Sequence, residues 1–143
     1  MTMSSALSLT EVIATIDAGE RRNKFSRIIA IDGPAGAGKT TLAKKLQLNY
    51  SHQTVEVVHM DNLYDGWDNA LSATLTKTLE YGIAKPVSEG KSFEYRKFDW
   101  LKMQYGELQR FSAPDLLILE GVGSGQRAVR KYLDQLIWID VKA

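Results

Sequence analysis

Four stretches of the chain are apolar without strict alternation: residues 27–32 (Ile28, Ile29, Ala30, Ile31), 54–60, 115–119 and 136–141. Runs of this length and β-branched character read as strands buried on both faces. Between them the spacing changes. Val12, Ile13 and Ile16 recur at helical intervals within residues 10–18, with Thr10 or Ser8 as N-cap and Gly19 as the stop. Residues 41–48 carry Leu42 and Leu46 away from their lysines, and Leu71, Leu75 and Leu79 mark one apolar face over 70–79. A short helix is expected at 126–133. Gly82, Pro86 and Gly90 make 82–92 a loop, and 121–125 is a second one. Residues 93–100 alternate aromatic and charged side chains and read as extended, whereas 102–111 show neither period. Strands alternating with helices define an open α/β fold: a mostly parallel sheet covered on both faces, with ligands at the carboxyl ends of its strands.

Composition narrows the class. The 143 residues carry a net charge of +1, which argues against a dedicated nucleic-acid coat. No apolar run approaches a membrane span, and the first nine residues lack the charged-then-apolar order of a signal peptide. There is no cysteine, which excludes disulfides, thiolate metal sites and a Cys nucleophile and fits a cytoplasmic setting. The length suits one domain over 1–143, with an N-terminal helix and connector (1–26) ahead of a core (27–143). The basic connector Arg21, Arg22, Lys24 and Arg27 reads as solvated, with an anion contact as the alternative.

Directly after the first strand comes Gly33-Pro34-Ala35-Gly36-Ala37-Gly38-Lys39-Thr40, then Thr41, matching G-x-x-x-x-G-K-[ST] at every fixed position. Its glycines let successive N–H groups turn inward onto phosphate oxygens. Lys39 brings a cation to the β- and γ-phosphates, Thr40 offers a hydroxyl to Mg²⁺, and the following helix aims its positive end at the same anion. Strand before and helix after are the context this motif requires. Glu120 ends the run Leu116-Leu117-Ile118-Leu119, where a carboxylate can hold Mg²⁺ directly or through water; capping the following turn is the alternative. Asp61 ends the 54–60 run and can accept a proton from an attacking hydroxyl or help hold the metal; a turn-forming Asp-Asn pair is the alternative. Tyr64 and Trp67 offer aromatic surface to a planar acceptor, or simple packing. His59, inside an apolar run, reads as packed, and His52 carries no signal.

Taken together, residues 31–41, His59-Met60-Asp61-Asn62-Leu63-Tyr64, Tyr95-Arg96-Lys97-Phe98-Asp99-Trp100 and Leu117-Ile118-Leu119-Glu120-Gly121 resemble the uridine kinase and phosphoribulokinase-like branch of P-loop kinases. The resemblance runs from about residue 27 to 141. It implies a three-layer P-loop NTPase fold around a five-stranded parallel sheet. It also implies transfer of the γ-phosphate of ATP, with Mg²⁺, to a hydroxyl of a small molecule, a nucleoside or similar. Lys39 and Asp61 would be catalytic, Asp61 as the base. Thr40 and Glu120 would hold the metal, and Tyr64, Tyr95, Arg96, Asp99 and Trp100 would serve the acceptor. The acceptor segment departs from the branch, since Asp99 follows Phe98 and no histidine comes after. Kinases of this branch carry an arginine-bearing lid, a fifth strand and an adenine loop beyond the fourth strand. The chain stops at Ala143, so that C-terminal part is expected to be missing. The alternative is therefore a nucleotide-binding module with little or no turnover. A bare apolar edge on the 136–141 strand would also invite self-association.

Overall fold

A computed structural model of the chain describes residues 2–3, 8–64 and 72–140. Five parallel strands form the central sheet: β1 (Thr2–Met3), β2 (Arg27–Asp32), β3 (Val55–His59), β6 (Leu116–Glu120) and β7 (Gln135–Ile139), in the order β1-β7-β2-β6-β3. Apolar residues point to both sides because both sides are covered. Ile28, Ala30, Leu117 and Leu119 face one core, which is closed by helix α3 (Ala73–Lys77), a π-helical segment Thr78–Ala84 and α4 (Lys85–Ser88). Ile29, Ile31, Leu116 and Ile118 face the other, under α1 (Leu9–Ala18) and α2 (Lys39–Asn49). Each fully buried Ile or Leu contributes about 1.5–3 kcal/mol relative to exposure. This is the three-layer α/β arrangement expected. Ser8 is the cap of α1, accepting the Glu11 N–H at 3.2 Å.

Three expectations need correction, and one segment left open by the pattern takes a definite form. Residues 82–88 are helical rather than loop. Full burial of Ile83, Ala84 and Val87 overrides the breakers Gly82 and Pro86. The helix widens to do so: the Lys85 N–H bonds the Glu80 carbonyl five residues back, just before Pro86, which has no N–H to offer. Residues 104–111 form β5 (Gln104–Phe111), an antiparallel partner of β4 (Phe93–Asp99). β5 is exposed along nearly its whole length, so no apolar alternation could mark it. Finally, β7 is not a bare edge. Thr2 and Met3 pair with Trp138 and Ile139, so the chain's own start covers two residues of the stretch expected to be open. The expected helix at 126–133 is a 3₁₀ segment, Arg127–Tyr132. Trp67, Leu71 and Val141 lie outside the described residues. Among the described residues, no helix is long and apolar enough to cross a membrane.

Candidate active site

At the carboxyl end of the sheet, a cavity of about 180 Å³ is walled by Gly36, Lys39, Thr40, Asp61, Glu120 and Gly121. Ala35, Gly38, Thr41 and Val122 complete it. Of the predicted phosphate-binding residues, Gly33, Pro34 and Ala37 stand outside this wall and act on the loop's shape. Gly33 has φ +141°, and a Cβ there would lie 2.3 Å from the Ile139 carbonyl oxygen, so only glycine fits. The Pro34 carbonyl accepts a bond from Lys39 Nζ at 2.6 Å, and Ala37 packs against the α1–α2 core. Gly36 and Gly38 turn the loop through left-handed backbone into α2, whose first turn has no side-chain cap. Its N–H groups therefore remain available to an anion.

The two carboxylates arrive on separate strands. β3 and β6 are in register so that His59 lies beside Glu120. Glu120 is buried. Its Oε1 accepts the Thr40 hydroxyl at 3.0 Å and its Oε2 meets His59 Nδ1 at 2.6 Å. That bond raises the His59 pKa above its ordinary value, against the opposing effect of burial. His59 is thus not a packed strand residue as its sequence context suggested. It is 41% exposed and joined to the site. The expectation failed because register, which sets its neighbour, is invisible in the local pattern.

Asp61 sits in the 3₁₀ turn Met60–Asn62 that ends β3. The buried Tyr64 donates its hydroxyl to Asp61 Oδ1 at 2.6 Å, and Trp100 Nε1–H donates to the Asp61 carbonyl at 3.0 Å. Burial and then the Asp61 bond hold the Tyr64 phenol above its usual pKa, so it remains a donor. Trp100 also meets Tyr64 edge-on, with ring centroids 6.2 Å apart. The hairpin β4–β5 holds this turn at a further point, where the Tyr105 hydroxyl bonds the Leu63 carbonyl at 3.1 Å.

The remaining acceptor candidates stand apart from the phosphate cavity. Tyr95 is buried in a cluster with Phe93 and Phe111, which also stack on each other, and burial pushes its phenol up to about 12. Arg96 Nη1 donates to the Gly106 carbonyl within the hairpin. Tyr95 and Arg96 border a second cavity of about 420 Å³ beside Leu63, Thr78 and Tyr105. Asp99 Oδ1 accepts the Leu101 and Lys102 N–H groups and so shapes the hairpin turn.

Among the described residues no three His, Cys, Asp or Glu side chains cluster as a metal cage. Thr40 and Glu120 instead present two adjacent oxygens on the phosphate wall. This fits Mg²⁺, which takes few protein ligands and completes its shell with phosphate and water oxygens. One residue with a structural signature escaped the sequence reading. Asp32, at the end of β2, is buried and accepts three backbone N–H bonds. Its place before Gly33 was visible, but two of the three donors lie 91 and 93 residues away.

A glycine-rich loop between strand and helix, an adjoining Thr–Glu oxygen pair and a carboxylate after the next strand, all on a parallel three-layer sheet, define a P-loop protein. Comparisons with known proteins refine this. A family model described as Novel STAND NTPase 3 matches residues 15–79. A uridine kinase of Macrococcus caseolyticus (strain JCSC5402) is 26% identical over 129 residues, covering 81% of this chain and 63% of that one. A tRNA dimethylallyltransferase 2 of Arabidopsis thaliana is 32% identical over 85 residues, 56% of this chain and 18% of the other. The solved structure of a possible uridine kinase from Bacillus stearothermophilus superposes with a TM-score of 0.75 at 19% identity, covering 94% of this chain and 80% of that one. Within that class, the chain is similar in sequence to a uridine kinase and in fold to a possible uridine kinase. It spans between 18% and 63% of the length of the curated relatives it matches.

Proposed function

We propose that the chain binds ATP with Mg²⁺ on residues 33–41 and moves its γ-phosphate to a hydroxyl of a small molecule, a nucleoside or a compound of similar size. The observation that carries this reading is the convergence of Lys39, Thr40, Asp61 and Glu120 on one cavity. The backbone N–H groups of the loop and Lys39 bind and orient the phosphates. Thr40 and Glu120 would hold Mg²⁺, which when bound neutralises charge on the phosphate oxygens. Asp61 accepts the proton of the acceptor hydroxyl as that oxygen bonds to the γ-phosphorus. The bond from the γ-phosphorus to the bridging oxygen breaks, and ADP leaves with the electron pair. Tyr64 and Trp100 fix Asp61 from its side chain and its backbone, which is the positioning that such transfer requires. In this reading the acceptor hydroxyl meets Asp61 at the phosphate cavity; the cavity beside Tyr95 and Arg96 shares none of that lining and takes no part in the step. Cysteine-free composition fits work in the cytoplasm.

The test is phosphorylation of a panel of nucleosides and sugars by the chain with ATP and Mg²⁺, alongside Asp61→Asn and Lys39→Ala. Transfer to one acceptor class, lost in Asp61→Asn with ATP binding retained, is expected. The family model over 15–79 favours a second reading, nucleotide binding without an acceptor. ATP binding with no phosphorylated acceptor would select it.

A further inference from the structure

We infer that Asp32 is a positioning residue that locks the phosphate loop to the 121–125 loop, so that the two walls of the phosphate cavity hold one geometry. The inference rests on the nucleotide reading of that cavity. Asp32 is 7% exposed, and the partners of its carboxylate are backbone N–H groups of both loops. Oδ1 accepts Gly33 N–H at 2.7 Å and Gly123 N–H at 3.0 Å, while Oδ2 accepts Gly125 N–H at 2.9 Å. The residue before it adds two bonds: the Ile31 carbonyl accepts Gly121 N–H at 3.0 Å and the Ser124 hydroxyl at 2.9 Å. The 121–125 loop is therefore pinned to the end of β2 at Gly121, Gly123, Ser124 and Gly125.

Residue chemistry explains why an aspartate stands here. Three buried N–H donors converge, and a buried donor left unpaired is costly. A carboxylate has acceptors on both oxygens; an asparagine amide has only one oxygen and would set its own N–H₂ against one of the donors. The packing leaves little slack for another arrangement. A Cβ on Gly125 would come 3.2 Å from Asp32 Oδ2 and 2.3 Å from Leu136 Cδ1.

The lock joins the two halves of the site. Gly33 opens the loop that carries Lys39 and Thr40, while Gly121 and Val122 line the opposite wall directly after Glu120. Holding both through one buried carboxylate pre-aims the N–H groups and sets Glu120 against Thr40. A ligand then need not supply that ordering itself.

The experiment measures ATP–Mg²⁺ binding by calorimetry and thermal unfolding for the wild-type chain and Asp32→Asn. It adds residue-by-residue amide exchange of the wild type with and without ATP–Mg²⁺. A folded Asp32→Asn that binds about tenfold more weakly is expected. So is slower wild-type exchange at Gly123 and Gly125, which do not border the cavity, when nucleotide binds. Wild-type affinity in a folded Asp32→Asn, whether or not its melting point falls, overturns the inference. If Asp32→Asn does not fold, the exchange data decide, and protection confined to residues 33–41 overturns it. A wild-type chain that binds neither ATP–Mg²⁺ nor phosphate overturns the nucleotide reading itself, and this inference with it.

Discussion

Replacing Thr40 with valine keeps the β-branched shape and removes one oxygen. That oxygen donates to Glu120 Oε1 at 3.0 Å, and the Glu120 side chain is only 7% exposed. A hydrogen bond to a charged acceptor contributes about 1.5–3 kcal/mol, so Thr40→Val should lose stability of about that size. His59 keeps the second carboxylate oxygen paired, which favours the lower end. The larger effect falls on nucleotide binding. If Thr40 and Glu120 are the protein's oxygens for Mg²⁺, the variant removes one and leaves the other held by His59 alone. Titration calorimetry with ATP, in excess Mg²⁺ and again in excess chelator, separates the two roles. With Mg²⁺ the affinity should fall about tenfold or more, equivalent to about 1.4 kcal/mol. Without Mg²⁺ it should change by less than about threefold, because the loop N–H groups and Lys39 are untouched. An equal loss in both buffers would show that the hydroxyl acts only through the fold. No loss in either would refute its place in the cation site.

Tyr64→Phe keeps a buried ring against Trp100 and removes only the hydroxyl that holds Asp61; acceptor phosphorylation should slow about tenfold while calorimetric ATP affinity stays unchanged, and undiminished turnover would refute the role. Because the Tyr64 phenol is shifted upward, it should remain protonated well above neutrality, so its ultraviolet titration should begin above the ordinary phenol range; ionisation near 10 would contradict the buried pair. Gly33→Ala places a Cβ against the Ile139 carbonyl at a φ that side-chain-bearing residues rarely adopt; a loss of at least about 2 kcal/mol is expected in urea unfolding, and a midpoint near wild type would contradict the tight approach of this loop to β7.

Much of the fold was legible because its physical causes are local. The runs Ile28–Ile31 in β2 and Leu116–Leu119 in β6 are apolar and buried, and only a sheet covered on both faces buries such runs. The segments that eluded pattern reading each drew their structure from a distant partner. β5 is a strand because β4 pairs with it, although its own side chains are mostly exposed. The π-helical turns before Pro86 persist because Leu79, Ile83 and Val87 are buried against the sheet, which outweighs two helix breakers. β7 gains an outer neighbour from residues at the far end of the chain.

The site divides the same way. By itself the sequence determined the glycine-rich loop proposed to hold phosphate, since Gly33 through Thr40 are contiguous and their backbone conformation is written in glycine positions. It also placed Asp61 and Glu120 at strand ends, because a strand stops where its apolar run stops. Only the tertiary structure decided what those carboxylates touch. Strand register set His59 beside Glu120, the hairpin brought Trp100 onto Asp61, and the meeting of two loops gave Asp32 two of its three donors. A buried polar group must find partners wherever the packed strands bring them. Apart from the near neighbours Gly33 and Tyr64, they come here from 39 to 93 residues along the chain, beyond the reach of any local pattern.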